Sequence, residues 1–255
     1  MSATIVKEIG LPGAILQDKA AYDDMADSLK QGRIMVSRRV LEPDFVRSMI
    51  SYMEGIGRSS FPQWHPIAPG CPNFHRIVWD DPRSYVKAAF HQFSFYPWNQ
   101  DIFRLFDKLR DIFRLRNRLC GADETAFLSG NPAEGAVARF SAQFYPSGGG
   151  YMNGHVDPVG EYQLVVPILA MSEFGRDFKK GGLWIDLPDN SRVAADQYLH
   201  PGDVIWFHPK RPHGVHVIDP DESLEWTKFH GRWSAVLAVN GLPGSAARAG
   251  VEVGG

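Results

Sequence analysis

The second half of the chain consists of short segments with β-strand character, separated by turns that contain glycine and proline. No helix of credible length interrupts them after Pro132. Short strands at this spacing are typical of an all-β sandwich or barrel. The predicted strands cover residues 136–145, 162–171, 183–187, 191–197, 203–207, 214–218 and 232–239.

The first half of the chain shows helical periodicity instead. Residues 18–32 predict a polar helix, and residues 33–38 predict a strand that leads into the core. Pro43 predicts the start of a second helix, because the fixed φ of proline suits the first helical turn. Residues 99–120 predict the longest helix, which ends at Gly121. The basic face of this helix is interpreted as a solvated surface rather than a phosphate-binding one.

The length of the chain limits its domain organisation. A chain of 255 residues with 44% hydrophobic residues can form one large core and does not require two domains. We therefore expect a single domain, in which a helical part at residues 1–131 covers a β core at residues 132–241. Residues 242–255 predict a flexible tail. Residues 59–82, rich in Pro, Trp and His, predict a long ordered loop over the core.

Composition limits the partners and the compartment. The net charge of -2 gives no basis for binding nucleic acid or an acidic membrane surface. The sequence has no apolar stretch of about 18 residues to span a membrane, and its N-terminus lacks the features of a secretion signal. Cys71 and Cys120 fit no metal-binding or redox spacing and predict free thiols. We expect a soluble cytoplasmic protein, a monomer or homodimer, that acts on a small molecule.

Two potential metal ligands, His155 and Asp157, follow a glycine-rich turn. On an extended strand, residues two apart point to the same face, so both side chains can reach one ion. Two histidines and one carboxylate form the facial triad of non-heme iron oxygenases. The third ligand is expected from a later strand–turn–strand segment that contains His213 and His216. Residues three apart on a strand face opposite sides, so these two histidines should not both bind one ion.

A late predicted strand carries Arg232 and Ser234 on one face. A guanidinium group binds a carboxylate through two parallel hydrogen bonds, and a hydroxyl group two residues on can add a third. The pair therefore suits the distal carboxylate of 2-oxoglutarate. Arginine and serine at this spacing are common by chance, so the interpretation depends on their order in the chain, after His155, Asp157 and a later histidine.

These motifs, in this order, resemble those of the Fe(II)/2-oxoglutarate-dependent dioxygenase superfamily, which includes prolyl-hydroxylase-like and phytanoyl-type members. The resemblance covers roughly residues 137–239. It implies a mainly β fold with N-terminal helices, in which helices flank a double-stranded β-helix (jelly-roll or cupin-like) core. The segments that resemble family patterns are residues 143–150 before the metal motif, 181–184 at a strand start, 201–203 before the penultimate strand, 213–218 with the distal ligand, and 231–234 with the co-substrate anchor.

The resemblance implies an Fe(II) site and a 2-oxoglutarate site. It favours His213 as the distal ligand, but the spacing to Arg232 leaves the choice open. That spacing is 232 − 213 = 19 residues from His213, longer than the family's usual spacing, and 232 − 216 = 16 from His216. The implied metal ligands are His155, Asp157 and His213, and the implied co-substrate contacts are Arg232, Ser234, Tyr145 and Gln143.

The implied reaction is hydroxylation of an unactivated C–H bond in a small metabolite, an amino acid or natural-product intermediate. It consumes dioxygen and releases succinate and carbon dioxide. Related halogenases carry a small residue in place of Asp157, so the carboxylate favours hydroxylation, desaturation or ring formation. The alternatives are a protein or peptide hydroxylase of the same superfamily, and a cupin-like metal-binding protein that does not use 2-oxoglutarate. Candidate substrate contacts are His75, Arg76 and Trp79, of which Arg76 suits a substrate carboxylate.

Overall fold

The secondary structure consists of two groups of strands and a layer of helices. A computed structural model describes residues 6–62, 67–68, 73–99, 102–131, 135–160 and 162–242. The helices are α1 (Pro12–Gln17), α2 (Lys19–Lys30), α3 (Pro43–Ser59), α4 (Leu105–Lys108) and α5 (Arg110–Leu119), with a short 3₁₀ helix at Ala195–Tyr198. The strands are β1 (Val6–Ile9), β2 (Ile34–Ser37), β3 (Asn73–Trp79), β4 (Ala88–Phe95), β5 (Ala136–Pro146), β6 (Tyr151–His155), β7 (Val166–Ala170), β8 (Gly182–Asp186), β9 (Arg192–Ala194), β10 (Val204–Phe207), β11 (His213–His216) and β12 (Gly231–Gly241).

The described strands form one continuous, curled sheet with two parts. The larger part has the order β1-β2-β10-β7-β12-β5-β4, with β3 paired to β4, and the smaller part has the order β6-β11-β8-β9. The two parts join where Ala88 and Ala89 of β4 pair with Met152 and Tyr151 of β6. Both parts contribute side chains to one internal cavity. The predicted double-stranded β-helix core flanked by helices is therefore confirmed.

The longest ladder, between β5 and β12, separates the helix-facing side of the sheet from the cavity. Its strands pair from Gly231 opposite Pro146 to Gly241 opposite Ala136. Successive side chains on a strand point to opposite faces. On β5, Phe140 and Phe144 accordingly join the core beneath the helices, whereas Arg139, Gln143 and Tyr145 line the cavity.

The helices pack on the larger sheet through apolar side chains. Asp18 caps α2 by accepting hydrogen bonds from the backbone N–H groups of residues 20 and 21, which satisfies donors that the first turn leaves unpaired. Pro43 stands at the start of α3, as predicted. Met49 and Met53 of α3 are fully buried, and each such side chain stabilises the fold by roughly 1.5–3 kcal/mol through burial.

One prediction for the N-terminal half was wrong, and a further strand was not predicted. Residues 59–82 are not all loop, because β3 lies within them; residues 63–66 and 69–72 of that segment lie outside the described residues. The second missed strand, β4, is buried on both faces, so it lacks the alternation by which a half-buried strand is recognised. The helical part therefore also supplies strands that extend the core.

Two predicted elements are shorter than expected. The helix predicted at 99–120 is divided into α4 and α5, preceded by Phe103 and Arg104 at positive φ. Such a backbone conformation is costly for residues other than glycine and interrupts a helix. The strand predicted at 191–197 ends at Ala194 and continues as a 3₁₀ turn.

The described part of the chain contains no helix with the length and apolar character needed to cross a bilayer. Cys120 is a buried free thiol, as predicted, and its sulfur accepts a hydrogen bond from the backbone N–H of Leu164 at 3.4 Å. Cys71 lies outside the described residues, as does the predicted tail beyond Leu242.

Two glycines of α3 provide a test of the packing between the helices and the sheet. A Cβ atom added at Gly57 would lie 2.2 Å from Cζ of Phe229, whereas one added at Gly55 meets no atom within 4 Å. We expect Gly57→Ala to lower the free energy of unfolding by about 1–3 kcal/mol. Gly55→Ala should raise it by about 0.5–1 kcal/mol, since alanine favours helices over glycine. Urea denaturation measures both, and stabilisation by both substitutions would contradict the packing of Phe229 on α3.

Candidate metal centre and co-substrate site

Three potential metal ligands converge where β6 ends and β11 begins. His213 pairs directly with His155 across these strands. Asp157 lies two residues beyond β6, where its backbone N–H donates to the carbonyl of Pro209 at 3.1 Å. Asp157 lies 3.5 Å from Nε2 of His155 through Oδ1, and 3.6 Å from Nε2 of His213 through Oδ2. One ligand atom from each residue lies within 4.8 Å of the others, close to the span of two metal–ligand bonds of about 2.0–2.2 Å each.

A β-bulge in β6 gives His155 its direction. His213 pairs with His155 but Val215 pairs with Met152. An advance of three residues along β6 therefore matches an advance of two residues along β11. Without an extra residue, side chains three apart on a strand would face opposite sides. The bulge therefore allows Met152 and His155 to line the same cavity.

Both histidines are oriented for metal binding by backbone carbonyls. Nδ1 of His155 lies 2.9 Å from the carbonyl oxygen of Asn153, and Nδ1 of His213 lies 2.9 Å from that of Arg211. A carbonyl only accepts hydrogen bonds, so each Nδ1 must carry the proton, which leaves the lone pair on Nε2 for a metal. Two imidazole nitrogens with one carboxylate suit Fe(II).

The electrostatics of His213 and Asp157 favour their metal-binding forms. Burial lowers the pKa of His213, although the charge of Asp157 opposes this effect. For Asp157, burial would raise the pKa, but the hydrogen bond with His155 and the charges of both histidines hold it below its usual value. The hydroxyl of Tyr85 donates to Oδ1 of Asp157 at 3.0 Å and so fixes the carboxylate from the side of β4.

His216 lies away from this group. It is exposed at the end of β11, and its ring centroid lies 5.7 Å from that of Trp184. His213 is buried against Phe207, with ring centroids 4.9 Å apart. The structure thus groups His213, and not His216, with His155 and Asp157.

The predicted co-substrate contacts form a second cluster in the same cavity. Arg232 stands opposite Tyr145 on the β5–β12 ladder, and Ser234 stands opposite Gln143. One terminal nitrogen of Arg232 donates to Oγ of Ser234 at 2.8 Å. The hydroxyl of Tyr145 donates to Oε1 of Gln143 at 2.8 Å. Burial raises the pKa of Tyr145, so its hydroxyl stays protonated and can donate.

Arg232 already has a carboxylate partner, Asp196. Nε of Arg232 lies 2.7 Å from Oδ2 of Asp196, and its second terminal nitrogen lies 3.0 Å from Oδ1. Burial alone would lower the pKa of Arg232, but the carboxylate outweighs it and the pKa is raised. Oδ2 of Asp196 also accepts from the backbone N–H of Leu183 at 2.5 Å. The guanidinium group is therefore held by Asp196 on one side and bonded to Ser234 on the other, and Arg232 and Ser234 both line the cavity.

The two clusters share one cavity of about 170 Å³ between the two parts of the sheet. The metal-ligand group and the Arg232–Ser234 pair both line it, together with apolar side chains such as Val166, Ile168, Leu183, Val215 and Val236. A small molecule bound to a metal at the first cluster can thus extend towards the second through this cavity.

Structural comparison finds similar folds, whereas sequence comparison does not: no family model and no curated protein matches the chain. A Pseudomonas putida prolyl-4-hydroxylase is 15% identical, with a TM-score of 0.51 over 84% of this chain and 96% of its own. JOX2 in complex with 2OG, Fe and JA is 13% identical, with a TM-score of 0.56 over 95% and 78%. A Trichoplax adhaerens prolyl hydroxylase with a peptide fragment is 11% identical, with a TM-score of 0.51 over 88% and 91%.

The chain has the fold of the Fe(II)/2-oxoglutarate-dependent oxygenases. The predicted resemblance is thus confirmed at the level of the fold. Within this fold, His155 lies on β6, His213 on β11, and Arg232 and Ser234 on β12, whereas Asp157 lies two residues beyond β6.

The three candidate substrate contacts lie on β3, outside the cavity lining. His75 is buried and bonds Oδ1 of Asn73 at 2.9 Å, and burial with the charges of Arg83 and Arg139 lowers its pKa to about 4. Arg76 points to the opposite face of β3 and stacks on Trp226 at 4.4 Å. Trp79 is 58% exposed at the strand end.

Sequence reasoning missed four residues that shape the cavity. Asp196 was assigned to a strand without a role, and Tyr85 stood in no motif. Arg139 lies inside a predicted strand, where its alternation with Gln143 and Tyr145 was the available signal. Arg116 was assigned to a solvated helix face, but it is 1% exposed and lines the cavity.

Metal binding can be tested with paired histidine variants. We expect His155→Ala and His213→Ala each to weaken Fe(II) binding by more than about a hundredfold, beyond the roughly 10–100-fold cost of losing an outer-shell partner. His216→Ala is the control and should bind one equivalent, as the wild type does. Anaerobic equilibrium dialysis with iron analysis gives these values. Loss of binding in His216→Ala with retention in His213→Ala would reverse the assignment.

Proposed function

We propose that this protein is an Fe(II)- and 2-oxoglutarate-dependent oxygenase that hydroxylates an unactivated C–H bond of a small metabolite. The observation that carries the proposal is the placement of the His155–Asp157–His213 group and the Arg232–Ser234 pair along one cavity. Succinate and carbon dioxide would be the co-products. Among the fold neighbours, JOX2 was crystallised with 2OG and Fe, the two components that this cavity suits.

The three metal ligands leave room for a chelating co-substrate. His155, Asp157 and His213 would hold Fe(II) and leave positions for a chelating keto acid, and the iron would supply the redox chemistry with dioxygen. The protein's own contribution is to fix the ligands: the carbonyls of Asn153 and Arg211 hold the imidazoles, and the Tyr85 hydroxyl holds the carboxylate.

The far end of 2-oxoglutarate would bind at Arg232. The terminal nitrogen that faces Ser234 and the Ser234 hydroxyl offer donors to a carboxylate. The Tyr145 hydroxyl, which donates to Gln143, would add a third donor by turning away from Gln143. Asp196 orients the guanidinium from its other side, so little conformational freedom is lost when the ligand binds. Apolar side chains of β7 and β12 exclude water from the space between the two ends.

The salt bridge to Asp196 favours a second candidate function. An arginine whose charge is already balanced attracts a carboxylate less strongly than a free one. In a cupin-like metal protein that does not use 2-oxoglutarate, Arg232 and Asp196 would be a structural pair, and the metal site would work without a keto acid. We place this candidate second because Ser234 and Tyr145 also turn hydroxyl groups into the cavity.

Anaerobic absorption spectroscopy distinguishes the two functions. We expect a visible charge-transfer band when Fe(II) and then 2-oxoglutarate are added to the wild type. Arg232→Gln should raise the 2-oxoglutarate concentration at half-saturation by roughly 10–100-fold, because a charge-assisted bond is lost. Arg192→Gln is the control, since Arg192 is exposed on Trp184 outside the cavity.

Each outcome of this experiment favours one of the two functions. Iron binding without a band in the wild type would favour the cupin-like protein. A band of equal half-saturation in wild type and Arg232→Gln would retain the oxygenase but remove Arg232 as its anchor. With the band established, succinate release in the presence of candidate metabolites would then identify the substrate class.

A further inference from the structure

The cavity contains a second arginine that the co-substrate does not need. Arg139 lies on the same face of β5 as Gln143 and Tyr145. Its Nε is buried without a hydrogen-bond partner. Among the described residues, its guanidinium forms no ion pair or hydrogen bond, in contrast to Arg232 with its bidentate carboxylate. An unpaired guanidinium in a cavity wall is costly, which points to a ligand that is absent from the free protein.

The register of the ladder separates Arg139 from the co-substrate anchor. Arg232 pairs with Tyr145, and Arg139 pairs with Ala238, six residues further along both strands. At about 3.3 Å per residue, the two positions lie roughly 20 Å apart along the ladder. The charge of Arg139 acts on Tyr85 and Asp157 at the metal end, whereas Arg232 interacts with Asp196 and Tyr145. Arg139 therefore belongs to the metal end of the cavity.

Other unpaired polar atoms lie in the same wall. Asn240 is 4% exposed, its side-chain oxygen has no partner, and it is a diagonal neighbour of Arg139, two residues beyond Ala238 on β12. Nε of Arg116, on α5, is also buried without a partner. Of the buried side-chain atoms without partners in the described chain, these three line the cavity, and the others lie outside its lining.

The charges in the cavity leave one positive charge for the substrate to balance. Three arginines and one carboxylate line it, and Asp196 neutralises Arg232 from behind. In the proposed function, the two charges of Fe(II) and of the 2-oxoglutarate dianion cancel. One net positive charge therefore remains on Arg139 and Arg116, the two lining arginines that form no ion pair among the described residues, and Arg139 is the one on the face of β5 with Gln143 and Tyr145.

We infer that Arg139, with Asn240 beside it, binds a carboxylate of the primary substrate and holds the adjacent carbon chain against the metal centre. The identification of the bound anion as the substrate rests on the proposed function. The binding of a carboxylate at Arg139 does not. Guanidinium groups recognise carboxylates through paired hydrogen bonds, and an asparagine amide can add a further donor. The role that the sequence suggested for Arg76 thus falls to an arginine inside the cavity.

Binding of [1-¹³C]butanoate tests this site, with Mn(II) at the metal centre and saturating 2-oxoglutarate at Arg232. Paramagnetic relaxation of the ¹³C signal reports both affinity and proximity to the metal. We expect saturable enhancement in the wild type and affinity weakened roughly 10–100-fold in Arg139→Gln. Butanamide, which lacks the charge, should show none.

Two further variants keep the test decisive. Arg76→Gln is the matched control, because Arg76 also has a buried, unpartnered Nε but lies outside the cavity lining, and it should bind butanoate normally. Asn240→Asp is isosteric and places a negative charge next to Arg139, so it should abolish butanoate binding even if Arg139→Gln folds poorly. Equal binding in the wild type and in folded Arg139→Gln or Asn240→Asp would overturn the inference.

The same variants separate this inference from the proposed function. Arg139→Gln should leave half-saturation by 2-oxoglutarate within about threefold of the wild type, since its position is distant from the anchor. If Arg139→Gln weakens 2-oxoglutarate binding and Arg232→Gln does not, Arg139 is the co-substrate anchor and the inference fails. If no chelate band forms in the wild type, the proposed function fails, and titration with Zn(II) and butanoate alone still shows whether Arg139 binds carboxylates.

Discussion

The metal centre depends on one irregularity in the backbone, the β-bulge of β6 opposite β11. The strands pair Val215 with Met152 and His213 with His155, and the unequal spacing turns His155 into the cavity. The carbonyls of Asn153 and Arg211 then set both imidazoles with Nε2 pointing inward. Asp157 is positioned by its backbone N–H, which donates to the carbonyl of Pro209 in the β10–β11 connection. The ligand geometry is thus set by main-chain hydrogen bonds, which side-chain substitutions disturb little.

Of the three arginines that line the cavity, Arg232 and Arg139 differ in electrostatic state. At the inner end, Asp196 balances the charge of Arg232 and orients its guanidinium group. Arg232 is therefore not left without a counter-charge when a bound carboxylate dissociates. At the metal end, Arg139 has no such partner. The free protein therefore carries the cost of an unbalanced charge where we place the substrate, and substrate binding relieves it. Arginine can thereby bind two different carboxylates in one cavity, the co-substrate at Arg232 and the substrate at Arg139.

The sequence predicted the parts of the fold that rest on local patterns. The strands β5, β7, β10, β11 and β12 and the helices α2 and α3 follow from alternation, helical periodicity, and Pro and Gly signals. The missed strand β4 is buried on both faces, so periodicity gave no sign of it. The helix predicted at 99–120 begins only at α4, because Phe103 and Arg104 precede it at positive φ, a conformation that propensity does not foretell.

The candidate site was predictable to the extent that its residues stand in short motifs. His155, Asp157, His213, Arg232 and Ser234 each lie at a recognisable spacing, and the structure brings them to one cavity. The partners that complete the site come from distant segments: Asp196 lies 36 residues from Arg232, and Tyr85 lies 72 residues from Asp157. Contacts at such separations depend on strand order, which a single sequence does not reveal.

The central claim is that one iron ion binds His155, Asp157 and His213, and anomalous diffraction tests it most directly. Crystals loaded anaerobically with Fe(II) and 2-oxoglutarate would be measured at the iron absorption edge. We predict one strong anomalous peak bonded to both Nε2 atoms and a carboxylate oxygen of Asp157, with the 2-oxoglutarate extending to Arg232. A peak instead at Asp219, Glu222 and His230, the other close group of potential ligands among the described residues, would contradict the account. So would the lack of any ordered iron.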